Sequence, residues 1–299
     1  MKNKYQFSSC HRPGTTPGKM LSRSAVSRCL KSLVRTFTSD CAKPYIVPDC
    51  PWGANRAARL ELAATYRALD SLNLNEGVCN HLSVMAPRAD GNGEGMLVFP
   101  YGLHWREVTA SNLVCVEYKD DNVNILEGGE LPEVAASCIH LGIRKTRPDA
   151  KVILHVHMPY ATALACMKDP ELLMISQNAL RFYNRVAYDN NYTGIAIAIE
   201  EGKRLGKALG DKDILFMGHH GIVCVAPTIS LAFDLIYYLE RSAELQVLTG
   251  AMNKEVGIIP EEDCARMSEV FWRHMQSYAD SHFYAQYRLL RKTQPDFEL

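Results

Sequence analysis

The stretch "KVILHVHMPYA", residues 151–161, decides how this chain is read. A strongly β-forming run ends in two histidines one residue apart, and Pro159 then fits the first turn of a following helix. On an extended chain successive side chains alternate faces, so His155 and His157 point to the same side. Two imidazoles aimed together from a strand end are half of a metal site.

Further along, the runs "DILFMG" (213–218) and "IVCVA" (222–226) read as strands, and "HHG" between them reads as a tight turn carrying His219 and His220. If these strand ends lie beside the first one, a turn histidine completes a three-imidazole set with His155 and His157. Such a set leaves coordination positions open for substrate and suits zinc first, with manganese or iron also accepted. H-x-H on a strand also occurs in cupins and carbonic anhydrases. The cupin pattern wants a Glu a few residues downstream, whereas none follows here before Glu171. The plainer reading is a group of hydrogen-bonded polar histidines at a strand end.

Around these motifs the chain alternates irregularly. Residues 54–74 carry helix formers with apolar positions three and four apart, and "NEG" stops them. The β-rich runs "NHLSVMA", "GMLVFPYG", "NLVCVEYK" and "VNILEG" follow, with Asp120, Asp121 and Asn122 supplying turn chemistry between the last two. A helix is expected from Glu133 to Thr146, another over "AIEEGKRLGKAL", and two long ones over 228–252 and 262–292. Mixed strands and helices of this kind predict an α/β fold, a three-layer α/β/α sandwich with helices on both faces of one sheet. Gly202, Gly206 and Gly210 lie at helical spacing within a charged helix, so they form no phosphate loop.

At 299 residues and 47% hydrophobic composition the chain can bury a core without staples. No apolar run is long enough to span a membrane. All eight Lys and Arg before residue 40 lie in a segment free of Asp and Glu, which leaves 25 basic against 33 acidic residues beyond it. An acidic body gives no electrostatic reason to bind nucleic acid. Within the basic segment, Leu21, Ala25, Cys29, Leu33 and Val34 spread over one side of a helical wheel and Arg28, Lys31 and Arg35 over the other. That pattern predicts a mitochondrial transit peptide and a matrix location; as a plain disordered tail it would leave the protein cytoplasmic. Residues 1–50 are therefore set apart as targeting segment and linker, and 51–299 as the folded domain with its C-terminal helices. Ten scattered cysteines without a C-x-x-C pair predict free thiols.

Across about residues 54–255 the sequence resembles the class II aldolase and adducin family. The blocks "NHLSV", "FPYGLHWREVTASNLV", "RPDAKVILHVHMPYATALA", "VAYDNNYTG" and "FMGHHGIVCVA" stand in the family's order, and the second and fourth look most like the adducin head branch and its bacterial relatives. The resemblance implies an α/β/α fold, a homotetramer with sites between subunits, and a divalent ion on His155, His157 and His220. In the family's sugar-phosphate aldolases and epimerases the metal stabilises an enediolate while a C–C bond breaks.

The same resemblance exposes losses. The family's proton-transfer carboxylate falls on Ala136, its phosphate-binding serines on Val134 and Ala135, and its loop glycine on Cys79, with Asn80 retained. Apolar side chains cannot replace donors to a phosphate. The sequence therefore predicts a metal-dependent lyase, of aldolase or decarboxylase type, acting on a small non-phosphorylated hydroxy- or keto-carbonyl substrate. Decarboxylation fits because loss of carbon dioxide itself generates the enolate, with no carboxylate base required. Asn80 and Gly102 are the expected substrate-binding positions. His140 or Tyr188 would move the proton in a retro-aldol variant; as packing residues they would be a hydrogen-bonded core histidine and an interface aromatic. Trp105 and Arg106, after the "PYG" turn, are weaker candidates. The alternative is a catalytically inactive adducin-like assembly or actin-binding protein. The leader and the absence of a long neck and basic tail favour the enzyme, with a small-molecule substrate, a homo-oligomer, and no nucleic acid or membrane partner.

Overall fold

Eight strands build one sheet in the computed structural model, which describes residues 53–119 and 122–299. They are β1 (His81–Pro87), β2 (Glu94–Val98), β3 (Val114–Lys119), β4 (Asn122–Glu127), β5 (Val152–Val156), β6 (Val186–Asp189), β7 (Ile214–Met217) and β8 (Gly221–Ala226). Their order across the sheet is β4-β3-β2-β1-β5-β8-β7-β6, which puts the histidine-bearing β5 between β1 and β8. All neighbours are antiparallel except β6 and β7. The expected leader over 1–50 and the turn residues Asp120 and Asp121 lie outside the described residues.

Helices cover both faces, so the central strands are buried throughout and read as apolar runs. On one face lie α1 (Arg56–Ser71), α3 (Pro159–Ala165), α5 (Ile229–Ala251) and α6 (Glu261–Thr293); their apolar residues join Leu82, Leu154, Val156, Phe216 and Ile222 in the larger core. The other face carries α2 (Val134–Thr146) and α4 (Ile199–Leu209), packed on Ile153, Leu215, Val223 and Val225. These two helices touch through backbone: a β-carbon on Gly202 would sit 2.0 Å from the Cys138 carbonyl oxygen, and one on Gly142 would meet Gly202 at 2.6 Å. Pro159 opens α3, as its fixed φ allows.

Among the described residues no helix is long and apolar enough to cross a membrane, and all six described cysteines are free. Strand β6 has no counterpart in the sequence expectation. It is a four-residue strand, half-exposed at the sheet edge, and leaves little periodic signal.

Candidate metal centre

Antiparallel pairing fixes the first half of the site. His81 stands opposite His155, and Ser83 opposite Ile153. By strand alternation His81, Ser83, Ile153 and His155 share the face that α2 and α4 cover. His157 continues on that side just past the end of β5.

The β7–β8 turn supplies the other half. His219 adopts a left-handed conformation, with φ of 57°, and the His220 N–H closes the turn onto the Met217 carbonyl. This geometry leaves His219 exposed and brings His220 to the strand-end pair. Gly221 is required by contact: a β-carbon there would lie 2.4 Å from His157 Cδ2. The ring centroids of His155 and His220 are 4.8 Å apart and those of His157 and His220 5.0 Å. One ligand nitrogen from each of the three lies within 4.8 Å of the others.

Hydrogen bonds orient two of the rings. His155 Nδ1 lies 3.1 Å from the Ile222 carbonyl, which can only accept, so Nδ1 donates and Nε2 is left bare. His157 Nδ1 faces Glu76 Oε2 at 2.5 Å and donates to it in the same way. The two Nε2 atoms then face each other at 3.1 Å. Two nitrogens bound at about 2.0–2.1 Å to one tetrahedral ion would stand roughly 3.3 Å apart, so the donor set fits a divalent ion such as zinc.

Electrostatics favour the neutral form of two of the three ligands, His155 and His220. Burial, followed by the neighbouring imidazoles, holds His155 well below the ordinary histidine range. Burial pushes His220 down to about 4, with His157 acting in the same sense and Glu201 opposing. Metal binding requires deprotonated imidazole, which these environments favour.

The other expected site residues are placed as follows. Asn80 is buried beside the set: its Oδ1 accepts from the backbone N–H groups of Glu76 and His157, and its Nδ2 has no partner. His140 is fully buried and bonds Ser83 and His81, one residue removed from the three imidazoles. Tyr188 lies on the edge strand, its hydroxyl accepting from the Leu172 N–H and its ring against Phe216, and the structure does not bring it to the set. Gly102 occupies an exposed turn with φ of 91°. Trp105 is buried, donating to the Asn80 carbonyl, and Arg106 pairs with Asp70. Two contributors escaped the sequence reading, Glu76 and His81. The polar positions His81 and Ser83 on one face of an otherwise apolar strand were the available signal for the second.

Comparison with known proteins follows the same line. The Class II Aldolase and Adducin N-terminal domain matches residues 60–247. An adducin-related protein of Schizosaccharomyces pombe is 36% identical over 202 residues, 65% of this chain and 60% of the relative. Alpha-adducin of Rattus norvegicus is 37% identical over 192 residues, 64% of this chain but only 25% of that protein. The chain thus spans less than two thirds of either relative. An aldolase II superfamily protein from Pseudomonas syringae superposes with a TM-score of 0.72 at 29% identity, covering 84% of this chain and 97% of its own. The L-fuculose 1-phosphate aldolase of Glaciozyma antarctica, at 22% identity and the same TM-score of 0.72, covers 89% of this chain and 99% of its own and is a likeness of fold. With a matched domain that takes in every residue of the imidazole set, and a mixed sheet covered by helices on both faces, the chain belongs to the class II aldolase and adducin family.

Proposed function

We propose that this protein is a metal-dependent lyase acting on a small hydroxy- or keto-carbonyl substrate that carries no phosphate. The observation that carries this reading is the convergence of the Nε2 atoms of His155 and His157 to 3.1 Å, with His220 completing the set. A divalent ion held there would supply Lewis-acid polarisation of substrate oxygens. The chain's own residues supply the rest. Glu76 and the Ile222 carbonyl orient the imidazoles, and the unpaired Asn80 amide nitrogen offers a donor at the edge of the set. The first turn of α2 is apolar at Val134, Ala135 and Ala136, which supports a substrate without phosphate and a reaction without a carboxylate base there. Decarboxylation of a keto acid meets both conditions.

That apolar turn, together with the likeness to alpha-adducin, supports a second reading in which the histidines hold a structural ion in an adducin-like assembly module. Metal analysis of the purified protein beside a His155→Ala, His157→Ala variant tests the first requirement. Stoichiometric metal in the wild type and none in the variant is expected; metal in neither sinks the lyase. Loaded protein should then release carbon dioxide from small keto acids, and a loaded protein inert across that screen leaves the assembly reading. We further propose mitochondrial import directed by residues 1–39. Imaging full-length and shortened chains should show the signal move from mitochondria to cytosol, and identical cytosolic signals would contradict it.

A further inference from the structure

A second polar line leaves the imidazole set and runs between β1 and α2. Arg144 donates through Nη2 to Ser83 Oγ at 2.9 Å. Ser83 Oγ lies 2.5 Å from His140 Nδ1, and His140 Nε2 lies 2.8 Å from His81 Nδ1. Ser83, His140 and His81 are all buried. His81 then packs its ring on His155, with centroids 4.8 Å apart, because the sheet pairs these residues directly.

The direction of this line follows from what each group can do. A guanidinium only donates, so Ser83 Oγ accepts from Arg144 and still has its own proton to place. Among the described residues His140 Nδ1 is the side-chain acceptor within its reach. Once the hydroxyl donates to Nδ1, the proton of neutral His140 sits on Nε2 and is donated to His81 Nδ1. The proton of His81 must then be on Nε2, on the ring that packs against His155. The opposite direction would put the unpaired proton on the Ser83 hydroxyl, one ring further from the imidazole set, whereas this direction puts it on the ring that adjoins His155, where a substrate oxygen would accept it.

We propose that the Arg144–Ser83–His140 line locks His81 as a neutral Nε2–H donor that holds one oxygen of a substrate anion seated beside the three imidazoles. The class of anion, a carboxylate or enolate of a small keto or hydroxy acid, rests on the lyase reading above. His81 is thereby a substrate-binding residue and no fourth ligand. A protonated Nε2 has no lone pair to give, and the group of converging ligand atoms contains His155, His157 and His220 without it. A fixed donor beside an oxygen that gains charge during decarboxylation stabilises that charge without reorganising.

Two measurements on the full chain test this. In the metal-free protein, nitrogen NMR of isotope-labelled histidines, with His81 assigned by loss of its signal in His81→Gln, should show a protonated Nε2 and a bare Nδ1. A protonated Nδ1 overturns the proposal. Ser83→Ala, which removes the proton source, should convert this single tautomer into a mixture. In the cobalt-loaded protein, with oxalate as the probe anion, His81→Leu should weaken oxalate binding roughly ten- to hundredfold while cobalt affinity stays unchanged. His81→Gln, which keeps an N–H donor at similar reach, should recover most of the loss and guards against a misfolded leucine variant. An equal loss of cobalt affinity makes His81 a ligand and refutes the proposal, as does unchanged oxalate binding in His81→Leu. Failure of the wild type to bind cobalt would sink the lyase reading, and the metal-free spectrum would still decide the tautomer.

Discussion

The strand ends that carry His155, His157 and His220 meet helix α2 through the His81–His140 contact, and the opening turn of that helix differs from them in kind. At the strand ends the nitrogens are aimed by register, by a left-handed turn residue and by acceptors spent on the far side of two rings. The α2 turn presents Val134, Ala135 and Ala136, with Ala136 fully buried. The helix still packs, through glycines against α4 and through His140 against β1, but its opening residues carry no polar chemistry. On the proposed reading, ion binding and phosphate handling would be separable functions of one fold. The first depends on strand ends and a turn, the second on a few side chains that can change while the helix keeps its place.

The largest effect that would sharpen this contrast is on stability in acid. Burial is the first cause holding His81, His140 and His155 well below the ordinary imidazole range. In the unfolded chain each takes up a proton near pH 6.5. Below that pH the unfolded state binds more protons, so stability is complete above about pH 6.5 and is lost as pH falls. At about 1.4 kcal/mol per group and pH unit, the three together remove roughly 4 kcal/mol by about pH 5.5. Thermal melts of the metal-free protein should show the midpoint falling steeply from pH 7 to 5.5. A flat profile would mean these rings are already solvated or charged.

Placing a carboxylate in the apolar turn has a somewhat smaller cost. Ala136→Glu forces a long acidic side chain into a fully buried position and should destabilise the metal-free protein by about 2–3 kcal/mol. If that position faces the centre, added metal recovers much of the loss; denaturant titration with and without metal reads both. A variant as stable as wild type without metal would show that the turn is looser than its packing indicates.

Glu76→Gln gives the smallest effect. Its carboxylate is 66% exposed, so losing its charge should weaken metal binding by about tenfold, the lower end for a group behind a ligand. Unchanged affinity would remove Glu76 from the site.

Much of this was legible in the sequence because it rests on period and on turn chemistry. The strand "KVILHVH", the helix over 133–146 and the two long C-terminal helices appear within a residue or two of their expected bounds. His155 and His157 were readable as a same-face pair because alternation is a property of any strand. Choosing His220 over His219 came from family resemblance, and the φ at His219 gives the physical reason. Glu76 and His81 were harder to find because their roles come from contacts with residues more than 70 positions away, Glu76 with His157 and His81 with His155 across the β1–β5 pair. Tyr188 stood out by residue type, but its hydroxyl is occupied by a backbone amide.

The contact between Gly221 and the ring of His157 has a consequence for anyone who would retune this centre. The imidazole fills the volume a methyl group would claim, so hairpin and ligand behave as one mechanical part. Even alanine at 221 would press on both the His157 ring and the Val156 carbonyl oxygen, 2.8 Å from the added carbon. Changes meant to shift metal preference belong on the acceptors behind the rings, where the lock-and-slot fit of turn and histidine is left whole.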